Sequence, residues 1–185
     1  RITAYIRQSL QDIYPPEEVK ALSMLICCDM LGVDALDIYM GKDIILSACK
    51  QRELENIIFR LQKNEPIQYI RGYAEFCGRN FRVAPGVLIP RPETAELVDL
   101  IVKENPDARR LLDIGTGSGC IAISLDKNLP DAKVDAWDIS EEALAIARKN
   151  NEELDAQVTF RRQDVFSADG IQGASVSYTH LRAHE

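Results

Sequence analysis

The chain is 185 residues long, with 46% hydrophobic and 28% charged residues, an ordinary balance for a folded chain with one sizeable core or two small ones. Its formal net charge of -7 argues against duplex DNA as the main partner, because duplex binders carry a basic face. No apolar run approaches the roughly 18 residues needed to span a membrane, and no signal-peptide pattern opens the chain.

The first ~65 residues read as wholly helical. Ile2, Ile6, Leu10 and Ile13 recur at intervals of three to four and predict one apolar stripe, which Pro15 and Pro16 then stop. Glu17 and Glu18 suit the first turn of the next helix, whose buried face is predicted to hold Val19, Leu22, Leu25, Ile26 and Met30 before Gly32 ends it. A later helix carries Leu54, Ile57, Ile58 and Leu61 and closes at Asn64 and Pro66. Five cysteines (Cys27, Cys28, Cys49, Cys77 and Cys120) form no Cys-x-x-Cys pair. They are expected to be small apolar fillers in a reducing cytosol.

After Gly72 the pattern changes. Glu75-Phe-Cys and Phe81-Arg-Val flank a Gly78-Arg-Asn turn, which predicts a hairpin. Leu88-Ile-Pro-Arg-Pro-Glu-Thr then feeds a helix expected to turn Leu97, Leu100 and Ile101 inward. From Arg109 the rhythm is strand, glycine loop, helix, strand, helix, strand. The predicted strands are Arg110–Ile114, Lys133–Ile139 and Val158–Arg161, with helices near Cys120–Asn128 and Ser140–Leu154 and Ser140 as N-cap. Such alternation predicts parallel βαβ units. The fold class is therefore α/β: an N-terminal helical bundle followed by an incomplete Rossmann-like domain with a parallel-rich sheet.

The informative stretch is Leu111-Leu-Asp-Ile-Gly-Thr-Gly-Ser-Gly119, between a strand and a helix. Gly115, Gly117 and Gly119 allow a sharp turn and a close ligand approach at the carboxyl end of the first strand. The dinucleotide fingerprint would require glycine at position 120, where Cys120 stands, and no Gly-Lys-Ser/Thr follows for a triphosphate. Asp113, just before the loop, would repel a phosphate but suits a ligand bearing an amino group and a sulfonium charge. Asp138 falls about twenty residues past the loop, placed to accept from both ribose hydroxyls. Asp164 can accept from an adenine amino group while Val165 packs against the ring. Asp138 or Asp164 alone also reads as a solvated strand end; acids on three successive strand ends beside the glycine loop predict one adenosyl pocket.

Glu65-Pro-Ile-Gln-Tyr-Ile-Arg-Gly72, Phe76-Cys-Gly78, Gly86-Val-Leu-Ile-Pro-Arg-Pro-Glu-Thr94 and Asp113-Ile-Gly-Thr-Gly-Ser-Gly-Cys-Ile-Ala together resemble the HemK-type release-factor glutamine methyltransferases. The resemblance runs from the helical N-terminus to about Asp164–Phe166. It implies a helical release-factor-recognition domain over 1–72, a hairpin linker over 73–92 and a class I methyltransferase domain over 93–173. It further implies S-adenosyl-L-methionine as cofactor and methylation of the side-chain amide of glutamine in the Gly-Gly-Gln loop of bacterial peptide-chain release factors. By match, Gly115, Thr116, Gly117, Ser118, Gly119, Asp138 and Val165 would bind the cofactor, and Asp164 joins them from the residue-by-residue reading. Arg91 and Glu93, held in fixed directions by Pro90 and Pro92, have two readings: lining the cofactor or substrate mouth, or a salt-bridged clamp between linker and catalytic domain. The expected protein is a cytoplasmic monomer that touches neither nucleic acid nor membrane.

The family pattern breaks near the end. Asn-Pro-Pro-Tyr, which in this family grips the glutamine amide, occurs nowhere in the chain, so no catalytic residue is assigned. After Asp169-Gly-Ile-Gln-Gly173 the residues to Glu185 lack the apolar run of a buried parallel strand. Residues 174–185 are expected to be a non-native tail without the fourth strand, on a chain truncated before its catalytic motif. His180 and His184 stand four apart, but no third ligand accompanies them and no metal is expected. Two other readings are a nucleic-acid base amino-methyltransferase, which would add a basic recognition surface, and a binding module without activity.

Overall fold

A computed structural model describes residues 1–167 and the backbone of residues 175–177. The chain divides into two compact units, Arg1–Arg71 and Gly72–Glu185.

The first unit is helical. Helix α1 (Ile2–Leu10) buries Ile2, Ile6 and Leu10. It ends there, so Ile13 falls in the following turn and is 40% exposed, off the predicted stripe. Helix α2 (Pro16–Leu25) starts on Pro16 with Glu17 and Glu18 in its first turn, where carboxylates meet the positive end of the helix dipole. A π-helical turn (Ile26–Met30) continues it, with Leu31 N–H donating to the Ile26 carbonyl at 3.0 Å. That wider turn moves the buried face along by one residue. Leu31 and Cys27 are buried while the predicted Leu25 and Met30 are only half-buried. Two short helices were not anticipated: α3 (Ala35–Tyr39), capped by Asp34, and α5 (Ile67–Arg71). Between them, α4 (Ala48–Gln62) is capped by Ser47 and buries Leu54, Ile57, Ile58 and Leu61 against α1 and α2.

The second unit opens with an antiparallel hairpin, β1 (Tyr73–Phe76) and β2 (Arg79–Arg82). Its turn sits on Cys77 and Gly78, one residue earlier than predicted, with φ of 47° and 70°. Two successive positive φ angles match the right-handed twist of a tight hairpin, and at Cys77 a non-glycine residue adopts one of them. Phe76 and Phe81 pack edge to face with centroids 6.0 Å apart inside the unit's core. Helix α6 (Pro92–Glu104) follows. It buries Val98, supported by Ala95, Ile101 and Val102, while the predicted Leu100 is 49% exposed. Both stripes have helical spacing; the observed one carries the smaller side chains, which suit close packing on the next helix.

Strands β3 (Arg110–Ile114), β4 (Lys133–Asp138) and β5 (Thr159–Arg162) alternate with helices α7 (Cys120–Asn128) and α8 (Glu141–Glu153). Their sheet has the order β5-β4-β3-β6, all pairs parallel. Strand β6 (Ser175–Ser177) pairs with Leu111–Asp113 and corrects the expectation that no fourth strand forms. Backbone hydrogen bonding needs no apolar side chain, so a search for an apolar run passes over such a strand. The order outward from β3 is that of a Rossmann-like half-sheet, and the loop after β3 lies where the strand order reverses.

Candidate functional site: the glycine loop after the first parallel strand

The loop is fastened at both ends. Gly115 and Thr116 N–H both donate to the Trp137 carbonyl, at 2.8 and 3.0 Å, extending the β3–β4 ladder past the strand tips. Thr116 Oγ1 donates to Asp113 Oδ2 at 2.7 Å. Asp113 is only 1% exposed, so it lies beneath the loop and not in a ligand's path, a correction to its expected place among the three acids of the adenosyl pocket. Burial pushes its carboxyl up to about 6, against the opposing effect of the Thr116 and Ala122 hydrogen bonds. At the far end Gly119 N–H donates to the Thr116 carbonyl at 2.8 Å, and Gly119 adopts φ +80° as α7 begins. A Cβ at Gly119 would stand 3.2 Å from both Ala147 Cβ and Ile123 Cδ1, so a side chain there is tightly packed as well as strained at positive φ. Gly115 differs. Its φ is +76°, but nothing lies within 4 Å of where its Cβ would be.

Asp138 ends β4 and is joined to this loop: its Oδ2 accepts from Gly117 N–H and its Oδ1 from Ser140 N–H, each at 2.9 Å. Each carboxylate oxygen carries further lone pairs, so two ligand hydroxyls can be accepted without breaking either bond. Ser140 in turn caps α8, its Oγ accepting from Ala143 N–H at 3.2 Å. Asp164 and Val165 are half-buried just beyond β5, tied to Asp138 by Gln163 N–H donating to its carbonyl at 3.1 Å. Asp164 Oδ1 accepts from Phe166 N–H at 2.9 Å.

A cleft joins the loop to the segment before α6, lined by Leu88, Ile89, Pro90, Arg91 and Thr94 on one side and Gly115–Ser118 on the other. The Ser118 hydroxyl is buried beside the Cys120 thiol. The cleft thus brings Arg91 to the loop residues predicted from sequence. It does not include Glu93, Asp138, Asp164 or Val165. Neither Arg91 nor Glu93 enters an ion pair among the described residues, so the clamp reading finds no partner there.

Asn150 was not anticipated. It is fully buried on α8, its Nδ2 donating to the Ser118 carbonyl at 2.8 Å and to the Arg82 carbonyl at 3.1 Å, while its Oδ1 accepts from Arg82 N–H at 2.6 Å. The signal was present: Ala143, Leu144, Ala147 and Asn150 form one helical stripe, and an amide on an otherwise apolar stripe must find partners inside. All five cysteines are free, and Cys49 is exposed, so it is no core filler. Burial pushes the Cys120 thiol up to about 12, which leaves it inert. Among the described residues no group of three or more His, Cys, Asp or Glu could hold a metal; His180 and His184 lie outside them. No described helix is long and apolar enough to cross a membrane.

Comparison with known proteins agrees across both units. The family described as PrmC N-terminal domain matches residues 2–72, and the family described as Methyltransferase small domain matches residues 93–174. The chain is 99% identical over 175 residues to a release factor glutamine methyltransferase of Bacteroides thetaiotaomicron, covering 95% of this chain and 63% of that relative. It is 38% identical over 169 residues to the release factor glutamine methyltransferase of Flavobacterium psychrophilum, covering 89% of this chain and 59% of the relative. It thus spans about three-fifths of the length of both relatives. Among solved structures it is similar to the Pyrococcus abyssi tRNA (uracil-54, C5)-methyltransferase in complex with S-adenosyl-L-homocysteine. The TM-score is 0.47 at 21% identity, over 56% of this chain and 26% of that one. Each unit thus matches its own family model, and 95% of this chain is 99% identical to part of a release factor glutamine methyltransferase.

Proposed function

We propose that this chain forms the donor-binding part of an enzyme that moves a methyl group from S-adenosyl-L-methionine to the side-chain amide nitrogen of glutamine in the Gly-Gly-Gln loop of peptide-chain release factors. The observation that carries the reading is the bond between Asp138 and the glycine loop, in a chain 99% identical over 175 residues to a release factor glutamine methyltransferase. Residues 93–173 serve as the donor-binding domain, 1–72 as the release-factor-recognition domain and 73–92 as the hairpin between them. The acidic net charge of -7 weighs against a nucleic-acid base as the acceptor, and five free cysteines are in keeping with a reducing cytosol.

The residues fit such a donor. Open space above Gly115 admits a ligand against the backbone of the cleft. Asp138 keeps lone pairs for the two ribose hydroxyls, Asp164 for the adenine amino group, and Val165 supplies an apolar surface for the ring. Thr116 contributes shape, because its hydroxyl is committed to Asp113. When bound, the donor supplies a methyl group activated by a sulfonium. An amide nitrogen is a poor nucleophile, so the rate depends on holding it in line with that methyl. The Asn-Pro-Pro-Tyr associated with this grip is absent from the 185 residues, so the chain as it stands is expected to bind the donor without transferring the methyl group.

Isothermal titration of S-adenosyl-L-methionine into this chain tests the first half, with one-to-one binding expected. Transfer of labelled methyl to a release factor tests the second, using these residues extended to the length of the Bacteroides thetaiotaomicron relative. Label should appear on wild-type factor and not on one with the Gly-Gly-Gln glutamine changed to alanine. No binding by either protein, or label on the alanine variant, would overturn the reading.

A further inference from the structure

We infer that Asn150 is a positioning residue that couples the glycine loop to the hairpin, so that a methyl donor held at the loop and order in β2 stabilise one another. The inference rests on the donor reading above and adds to it a residue that does not line the cleft.

The Ser118 backbone needs a hold from outside the loop. It stands between Gly117 and Gly119, at φ 56° and 80°, and a glycine on each side lets the peptide between them swing. Asp138 fixes the N–H of Gly117, and Asn150 Nδ2 fixes the Ser118 carbonyl at 2.8 Å. A loop already held in this way gives up less freedom when a ligand closes on it, and so binds more tightly.

The same amide holds the hairpin. Val83 N–H donates back to the Gly72 carbonyl at 2.9 Å, so the alternation of an antiparallel pair turns the Arg82 backbone away from β1. Asn150 occupies that free edge as a neighbouring strand would, accepting from Arg82 N–H at 2.6 Å and donating to the Arg82 carbonyl at 3.1 Å. It is fully buried, and its two N–H groups are divided between Ser118 and Arg82. A shift of the loop that turns the amide therefore strips partners from β2, with no water to replace them. By linkage the effect has the same size in both directions. Tyr73 opens the hairpin directly after Gly72, where the second unit begins, so methyl-donor occupancy is felt in the first segment after the helical unit.

The test follows residue-resolved amide hydrogen exchange in the wild-type chain, with and without saturating S-adenosyl-L-methionine, after calorimetry has measured binding. Exchange at Arg82 should slow about fivefold or more beyond that at Ala74 and Phe81, which pair across the hairpin and report general stabilisation. In Asn150→Ala, checked for folding by its melting curve, affinity for S-adenosyl-L-methionine should fall by about the same factor and the extra protection at Arg82 should vanish. A role confined to holding the hairpin gives fast exchange at Arg82 in the variant but no dependence on the methyl donor in the wild type. Binding without extra protection at Arg82 in the wild type, or a folded variant whose affinity stays within about twofold, would overturn the inference and leave the donor reading intact. Should the variant not fold, the wild-type exchange decides alone. If the wild-type chain does not bind S-adenosyl-L-methionine, the donor reading itself fails and the coupling falls with it.

Discussion

The side chain of Asn150 reaches the Ser118 carbonyl at 2.8 Å, and the same amide group exchanges hydrogen bonds with both the N–H and the carbonyl of Arg82. One buried residue on α8 therefore holds the hairpin strand β2 and the glycine loop together. The Arg82 guanidinium reinforces this from the surface by donating to Glu153 at 2.6 Å. The hairpin is thereby built into the second unit, and the position of the Ser118 backbone depends on a contact 32 residues away in sequence.

Asn150→Ala should be among the most damaging single changes in this unit. It leaves the Ser118 carbonyl and both Arg82 backbone groups short of partners, a cost of roughly 2–4 kcal/mol at buried sites. Amide hydrogen exchange at Arg82 should accelerate well beyond that of strand β4, and the melting temperature should fall by several degrees. Unchanged exchange at Arg82 would show that the hairpin is held by Phe76 and Phe81 alone.

Gly119→Ala and Gly115→Ala make a matched pair. Both glycines have positive φ, so each substitution costs about 1 kcal/mol of backbone strain. At Gly119 the new methyl also presses on Ala147 and Ile123 at 3.2 Å, so this variant should lose more stability in chemical denaturation. At Gly115 the methyl meets nothing within 4 Å and enters the ligand's space. That variant should stay folded and lose donor affinity, measured by calorimetry. Equal stability of the two would contradict the packing assigned to Gly119.

The βαβ rhythm was legible because a parallel sheet encodes itself twice, in apolar strands such as Leu111–Leu112 and in caps such as Ser140. The glycine loop was legible for the same reason: positive φ at Gly115, Gly117 and Gly119 leaves a compositional mark. What depended on partners distant in sequence was not. The choice between Val98 and Leu100 as the inward residue of α6 is made by the surface the helix lands on, and the one-residue shift at Ile26–Met30 by a backbone bond pattern. Strand β6 pairs through its backbone. Strand position alone groups Asp113 with the pocket acids Asp138 and Asp164, because it cannot say that Thr116 folds back over it.

Asp138→Asn separates structure from binding. The replacement puts an NH2 group opposite either Gly117 N–H or Ser140 N–H, losing one acceptor and adding a donor that faces a donor. Donor affinity should fall by about tenfold or more, in line with roughly 1.5–3 kcal/mol for a hydrogen bond to a charged group. Asp138→Ala should bind at least as weakly, and adenosine should lose as much affinity as the full donor. A variant that keeps its affinity for adenosine would remove Asp138 from the ribose site.

Asp113 sets a pH dependence whose sign follows from its burial. Its carboxyl is pushed from an ordinary 3.8 up to about 6 in the folded chain, so between those values the folded state binds the proton more tightly than the unfolded one. Its contribution to stability is fully present below about pH 4 and is lost as pH rises through about 6, a total on the order of 3 kcal/mol. Other carboxylates titrate in the same window, so the diagnostic quantity is the difference between wild type and Asp113→Asn. The variant removes the ionised form and keeps an acceptor for Thr116 Oγ1, which is 2.7 Å away in the wild type. Denaturation at pH 4, 5, 6 and 7 should show wild type losing stability relative to the variant across the series, with the gap constant above about pH 7. A gap that is the same at every pH would mean that Asp113 titrates as an exposed carboxylate, which its place beneath the loop does not permit.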